Sequence, residues 1–201
     1  MRTLYWLAVT MTDSALKAFC GVRIVNRENA VNDGGAIIAC NHASFLDPPF
    51  VATLYRAPIH FLARNTLFKG LFGKLIERLN AVPVDRDQAD LKSMKTIIRT
   101  LRQGGRVLMF PEGTRSEDGS LHEAKAGVGM LIAKSGVPVQ PVRLVGTFEA
   151  LPTKGRFRAH PLTAVIGEPI VFTPDELKTK SREGYQALAD RVMKAIEDLE
   201  A

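Results

Sequence analysis

Short, wholly apolar runs alternate along this chain with longer stretches whose apolar residues recur every three or four positions. The run Ala36-Ile37-Ile38-Ala39-Cys40 follows the turn signal Asp33-Gly34-Gly35 and predicts a short buried strand. Arg106-Val107-Leu108-Met109-Phe110 reads the same way, and residues 59–64 are a further strand candidate. Residues 48–55 start as a helix should, with Pro48 and Pro49 in the first turn. Residues 88–103 place Ala89, Leu91, Met94, Ile97, Ile98 and Leu101 on one side before a Gly104-Gly105 stop, which predicts an amphipathic helix. Helices are also expected at 127–135, ended by Gly136, and at 183–199. Strands are expected at 21–26 on a sheet edge, at 81–86, at 162–171 and at 137–145, where Pro138 and Pro141 imply an edge or irregular strand. The alternation predicts an α/β fold in which helices flank a mixed, mostly parallel sheet.

Two stretches carry a surface question. Residues 1–20 begin apolar and hold the only Trp, but Thr10, Thr12, Asp13, Ser14 and Lys17 interrupt them far short of a membrane span. They predict an amphipathic helix, or two short ones, either lying on a membrane surface or packed on the domain. Residues 67–79 repeat apolar pairs every four residues, with Lys69, Lys74 and Arg78 on the other face. That stripe suits a core helix or a surface touching acyl chains and headgroups. The expected organisation is an interfacial region over 1–20 and one domain over 21–201, without an internal repeat or linker.

Composition narrows the partners. The 201 residues are 46% hydrophobic and 24% charged, as in an ordinary globular chain, and carry a net charge of +6. The charge is concentrated: residues 56–115 hold twelve Lys and Arg against five Asp and Glu. Such a field draws polyanions. No zinc-finger spacing, aromatic RNA-binding pattern or basic tail is present, so anionic lipid or a phosphorylated substrate is favoured over nucleic acid. His42, His60, His122 and His160 lack metal-site spacing, and Cys20 and Cys40 read as reduced, partly buried thiols in a cytosolic protein.

The stretch Asn41-His42-Ala43-Ser44-Phe45-Leu46-Asp47-Pro48 stands where the 36–40 strand ends, and strand carboxyl ends are where ligands collect in open α/β sheets. A His with a carboxylate across one tight turn can be held in a single tautomer and act as general base. The competing reading is a surface His beside an Asp that caps the next helix.

Taken with Arg64…Leu67-Phe68, Val84-Asp85-Arg86, Phe110-Pro111-Glu112-Gly113-Thr114-Arg115-Ser116 and Val137-Pro138-Val139…Pro141, this stretch resembles the glycerolipid acyltransferase family, most closely its bacterial 1-acylglycerol-3-phosphate branch. The four blocks fall in order within residues 41–142, and the resemblance covers about residues 20–172. Asn80 stands where the second block commonly has Gly, and Asn tolerates a left-handed backbone better than most residues.

The resemblance implies acyl transfer from a thioester, acyl-CoA or acyl carrier protein, to the 2-hydroxyl of lysophosphatidic acid, giving phosphatidic acid. Glycerol 3-phosphate or another lysophospholipid is the alternative acceptor, and a non-catalytic anionic-lipid-binding module the alternative of another class. His42 would be the base and Asp47 its orienting partner, with Ser44 a rival nucleophile lacking a nucleophile-elbow setting. Arg115 is the first choice for the acceptor phosphate and Arg86 the second. Gly113 and Thr114 would approach substrate, and Glu112 would orient the acceptor or Arg115. Oxyanion donors are expected near Gly113-Thr114 or Val137–Val139. No metal and no cofactor beyond the thioester co-substrate is implied. The expected location is the cytosolic face of the cytoplasmic membrane, peripheral or monotopic, against an anionic lipid surface.

Overall fold

The computed structural model of the chain describes residues 2–84 and 91–201. The chain opens with one helix, α1 (Arg2–Phe19), and the edge strand β1 (Val22–Val25). Then come β2 (Ala36–Cys40), α2 (Asp47–Leu54), β3 (Ile59–Arg64), α3 (Gly70–Arg78) and β4 (Ala81–Val84). The second half holds α4 (Leu91–Arg102), β5 (Arg106–Met109), α5 (Ala126–Ser135), β6 (Val139–Val145), α6 (Thr147–Ala150) and β7 (Leu162–Ile166). It closes with α7 (Pro174–Leu177) and α8 (Arg182–Glu197). Asp85 and Arg86, and with them the predicted start of the 88–103 helix, lie outside the described residues.

The strands form one seven-stranded sheet in the order β1-β7-β6-β2-β5-β3-β4, parallel except for the β6–β7 pair. Every residue of β2 is buried, because helices cover both faces of a parallel sheet. Successive strand side chains point to opposite faces, and the core divides accordingly. Ile38, Cys40 and Leu108 pack with Leu16 of α1 and Phe50 and Leu54 of α2. Ile37, Ala39 and Val107 pack with Leu101 of α4, Ile132 of α5 and Val192 and Ile196 of α8. Helices α5 and α8 meet so closely that a Cβ at Gly129 would collide with the Tyr185 carbonyl. The single α/β domain expected from the sequence is the architecture found.

Strand β6 corrects one expectation. It is not an edge: it lies between β2 and β7, with Pro141 opposite Ala39, and only its β7 side is irregular, where the ladder breaks at Pro141. Its proline is tolerated because the β7 ladder starts only at Val142–Ile166. The Pro141 carbonyl accepts the Gly167 amide at 2.9 Å, and the Gly167 carbonyl that a Pro141 N–H would face accepts the Gln140 side-chain amide instead, at 2.7 Å. Beyond Ile166, the stretch predicted as strand to 171 leaves the sheet and returns only as a bridge between Ile170 and Val139. Asn80 adopts the left-handed conformation its sequence position suggested, φ +66°.

Helix α1 is packed on its Tyr5 and Leu16 side, both buried, and the Tyr5 hydroxyl accepts the Ile59 amide at 3.1 Å. Its opposite side leaves Leu7 and Met11 exposed, and Phe19 is exposed at its last residue. Helix α3 buries Gly73 but exposes Leu71, Phe72 and Leu75.

Candidate active site

Strand β2 ends at Cys40, and the chain turns back to α2 within seven residues. Asn41 makes that exit rigid. Its side-chain amide donates to Leu144 O (3.0 Å) and its carbonyl oxygen accepts Leu144 N–H (2.8 Å), so a side chain extends the β2–β6 ladder by one step. His42 then continues the even-numbered face, toward α1 and α2.

Among the described residues, Asp47, Glu112, Ser116 and Phe110 hold His42. Its Nδ1 lies 2.8 Å from Asp47 Oδ2. Its amide donates to Glu112 Oε1 at 2.8 Å, and its carbonyl accepts the Ser116 amide at 2.8 Å. Its ring stacks on Phe110, with centroids 3.7 Å apart and planes 12° from parallel. Asp47 is the first residue of α2 and does not cap it; Leu46 holds the capping place. Asp47 Oδ2 also accepts the amides of Ala43 (2.8 Å) and Ser44 (2.7 Å). The turn thus folds around the carboxylate and presents His42 to it, while Oδ1 is buried with no hydrogen-bond partner among the described residues. Ser44 is fully buried: its hydroxyl donates to Leu151 O (2.7 Å) and accepts Leu46 N–H (3.0 Å). It is a structural residue here, tying the turn to the α6 loop.

Strand β5 ends next to β2 in parallel register and delivers the second motif. Glu112 is buried, and its two oxygens are engaged by backbone amides. Its Oε1 holds the His42 amide and its Oε2 accepts the His122 amide at 3.1 Å. Burial pushes its carboxyl above the ordinary range, against the lowering effect of those two amides and of His122, with Asp47 adding to the rise. Gly113 takes φ +72°, so its conformation calls for glycine, while a Cβ there would meet only the flexible Lys125 side chain, at 2.9 Å. The Arg115 guanidinium lies 3.6 Å over the Phe45 ring, which orients it with a cation–π contact. Thr114 is exposed.

His42 and Arg115 share one cavity of about 580 Å³. Its other walls are mostly apolar, with Tyr5 and Val9 of α1, Pro48 and Ala52 of α2, Phe61 of β3 and Ile76 of α3, and Thr12, Arg64 and Thr66 add polar groups to them. The arrangement offers a base, a fixed cation and space for a hydrocarbon chain.

The geometry therefore brings together His42, Asp47, Glu112, Gly113 and Arg115 and leaves Arg86 outside the described residues. The amide of Gly113 is already committed to Phe110 O at 3.0 Å. Val137–Val139 cannot supply oxyanion donors: Val139 pairs with Ile37 at the amino end of β2, the far end of the sheet from His42, and its amide donates to Ile170 O. Phe110, Phe45 and Asn41 were not singled out from the sequence for the parts they play. Their only signal there is adjacency to the motifs.

The residue pattern of the acyltransferase family matches residues 21–145, which contain both the His42 turn and the Glu112–Arg115 loop. The chain belongs to the acyltransferase family. Among its relatives, a 1-acyl-sn-glycerol-3-phosphate acyltransferase of Bacillus subtilis is 31% identical, over 90% of this chain and 88% of its own length. A chloroplastic 1-acyl-sn-glycerol-3-phosphate acyltransferase of Arabidopsis thaliana is 30% identical over 83% of this chain but only 48% of its own length. The crystal structure of the 1-acyl-sn-glycerophosphate acyltransferase PlsC from Thermotoga maritima superposes with a TM-score of 0.75 at 27% identity, covering 98% of this chain and 81% of that one. In this acyltransferase, the matched segment ends with β6, so β7, α7 and α8 complete the sheet and its cover rather than the motifs.

Proposed function

We propose that the chain transfers a fatty acyl group from a thioester, acyl-CoA or acyl carrier protein, to the 2-hydroxyl of 1-acylglycerol 3-phosphate, forming phosphatidic acid at a membrane surface. The observation that carries this reading is that His42, paired to Asp47, and Arg115 line the same apolar cavity. With Nδ1–H donated to Asp47, His42 Nε2 accepts the proton of the substrate hydroxyl as that oxygen attacks the thioester carbonyl. The substrate hydroxyl stands where a serine hydrolase has its own nucleophile. Asp47 then balances the imidazolium, which returns its proton to the departing thiolate. The products are an ester and a free thiol. Arg115 binds the acceptor phosphate bidentately, and its seat on Phe45 limits the entropy lost on binding.

The apolar walls favour substrates with a long chain over glycerol 3-phosphate. Leu7 and Met11 of α1 and Leu71, Phe72 and Leu75 of α3 flank the cavity helices and face the lipid, on the cytosolic side of the membrane. The test is thiol release from acyl-CoA and acyl carrier protein against a panel of acceptors. Fast release is expected with lysophosphatidate, slow release with glycerol 3-phosphate, and none above background for His42→Ala. Near-wild-type turnover by His42→Ala would overturn the general-base assignment.

A further inference from the structure

Strands β6 and β7 are consecutive and antiparallel, so the chain between them, residues 146–161, must lie at the carboxyl end of the parallel strands, beside His42. It is fastened to the site there. Leu151 O accepts the Ser44 hydroxyl (2.7 Å), and the Thr153 hydroxyl donates to Ser116 O (3.3 Å). Lys154 pairs with Glu117 at 3.4 Å, and the Arg158 amide closes the loop on Ala150 O (2.8 Å). Residues 154–159 are all exposed, carry Lys154, Arg156 and Arg158, and put Phe157 outward at 48% exposure. No acidic residue occurs from Leu151 to Pro161.

The sheet order separates this loop from the lipid-facing helix α3. Helix α3 links β3 to β4, on one side of β2; the basic loop springs from β6 and β7, on the other. A lipid acceptor and a water-borne donor thus have separate approaches to His42. We propose that the 153–160 loop docks an acidic acyl carrier protein, so that its pantetheine thioester reaches His42 from the β6–β7 side. This rests on the acyltransferase reading above. An exposed basic surface around an aromatic suits the acidic face of a protein, whereas the phosphates of a nucleotide are held best in a concave site.

The test compares one acyl chain carried on acyl carrier protein and on CoA, in neutral detergent, for the wild type and for Arg156→Glu/Arg158→Glu. The expected result is a KM for the acylated carrier raised about tenfold with kcat within about twofold, and a KM for acyl-CoA within about twofold, which also shows the variant to be folded. An unchanged carrier KM overturns the proposal. Equal rises for both donors would mean a phosphate contact common to them, and weaker vesicle binding with unchanged KM would mean a membrane contact; either overturns it. Direct titration with the acyl-free carrier decides docking independently of turnover: saturable binding to wild type, weakened about tenfold in the variant, is expected. A wild type that binds the carrier but releases thiol from neither donor would instead defeat the enzymatic reading alone.

Discussion

Glu112 Oε1 holds the backbone amide of His42 at 2.8 Å, so the loop after β5 fixes the backbone of the loop after β2. Ser116 grips the same peptide from its carbonyl side at 2.8 Å. The family's first and third motifs are therefore one mechanical unit, in which Glu112 fixes the His42 backbone.

Glu112→Gln keeps the size but offers one acceptor where two amides need two. A cost of about 1–3 kcal/mol is expected, with a fall in kcat as His42 loses its seat. Burial raises the Glu112 carboxyl above its ordinary value of 4.5, so the folded protein binds this proton more readily than the unfolded chain. Its contribution to stability is thus present below that ordinary value and is lost as pH rises through the raised one. Urea unfolding across this window should show wild-type stability falling with pH relative to Glu112→Gln; a difference that rises with pH would contradict the assignment.

Asp47→Asn separates a catalytic carboxylate from a merely turn-forming one. Asn serves as well as Asp at helix starts and turns. Its carbonyl oxygen can take the Oδ2 position, keeping the Ala43 and Ser44 amides, while its amide group faces the Oδ1 side. The melting temperature should hardly move, yet kcat should fall about 10²–10⁴-fold because the imidazolium loses its counter-charge. Retained activity would return Asp47 to a structural role.

Arg115→Lys keeps the charge but gives up the fork and the flat stack on Phe45. The KM for lysophosphatidate should rise about tenfold, a loss of about 1.4 kcal/mol. Turnover of monoacylglycerol, which has no phosphate, should not change. Equal losses on both acceptors would show that Arg115 shapes the cavity instead of reading the phosphate.

How far the sequence carried differs by element. β2, β5 and α5 were legible because a fully buried run and a Gly136 stop leave little choice of structure. His42 and Asp47 were legible because their spacing is the chemistry. β6 was misjudged as an edge because a proline can hold a central position where another donor takes the carbonyl its missing N–H would face, and that donor, the Gln140 side chain on Gly167 O, shows only in the fold. The hold of Glu112 on the His42 turn was not legible because its partners are backbone amides, from residues 70 and 10 positions away, and amides leave no mark in a sequence. Phe110 under His42 had the same difficulty, since an aromatic at a strand end reads as core.

Membrane contact is best tested on α3. Leu71 is 86% exposed, Phe72 57% and Leu75 44%, and withdrawing such a side chain fully from water yields about 1.5–3 kcal/mol. Lys69 and Lys74 beside them would add attraction to anionic lipid. Leu71→Asp/Leu75→Asp should therefore cut co-sedimentation with anionic vesicles by at least about tenfold while activity in detergent micelles survives. The same logic applies to Leu7→Asp/Met11→Asp on α1. Removing α1 altogether is the poorer experiment, because it strips Tyr5 and Leu16 from the core and frees the Ile59 amide. Unchanged vesicle binding by both double variants would place the lipid surface elsewhere on the protein.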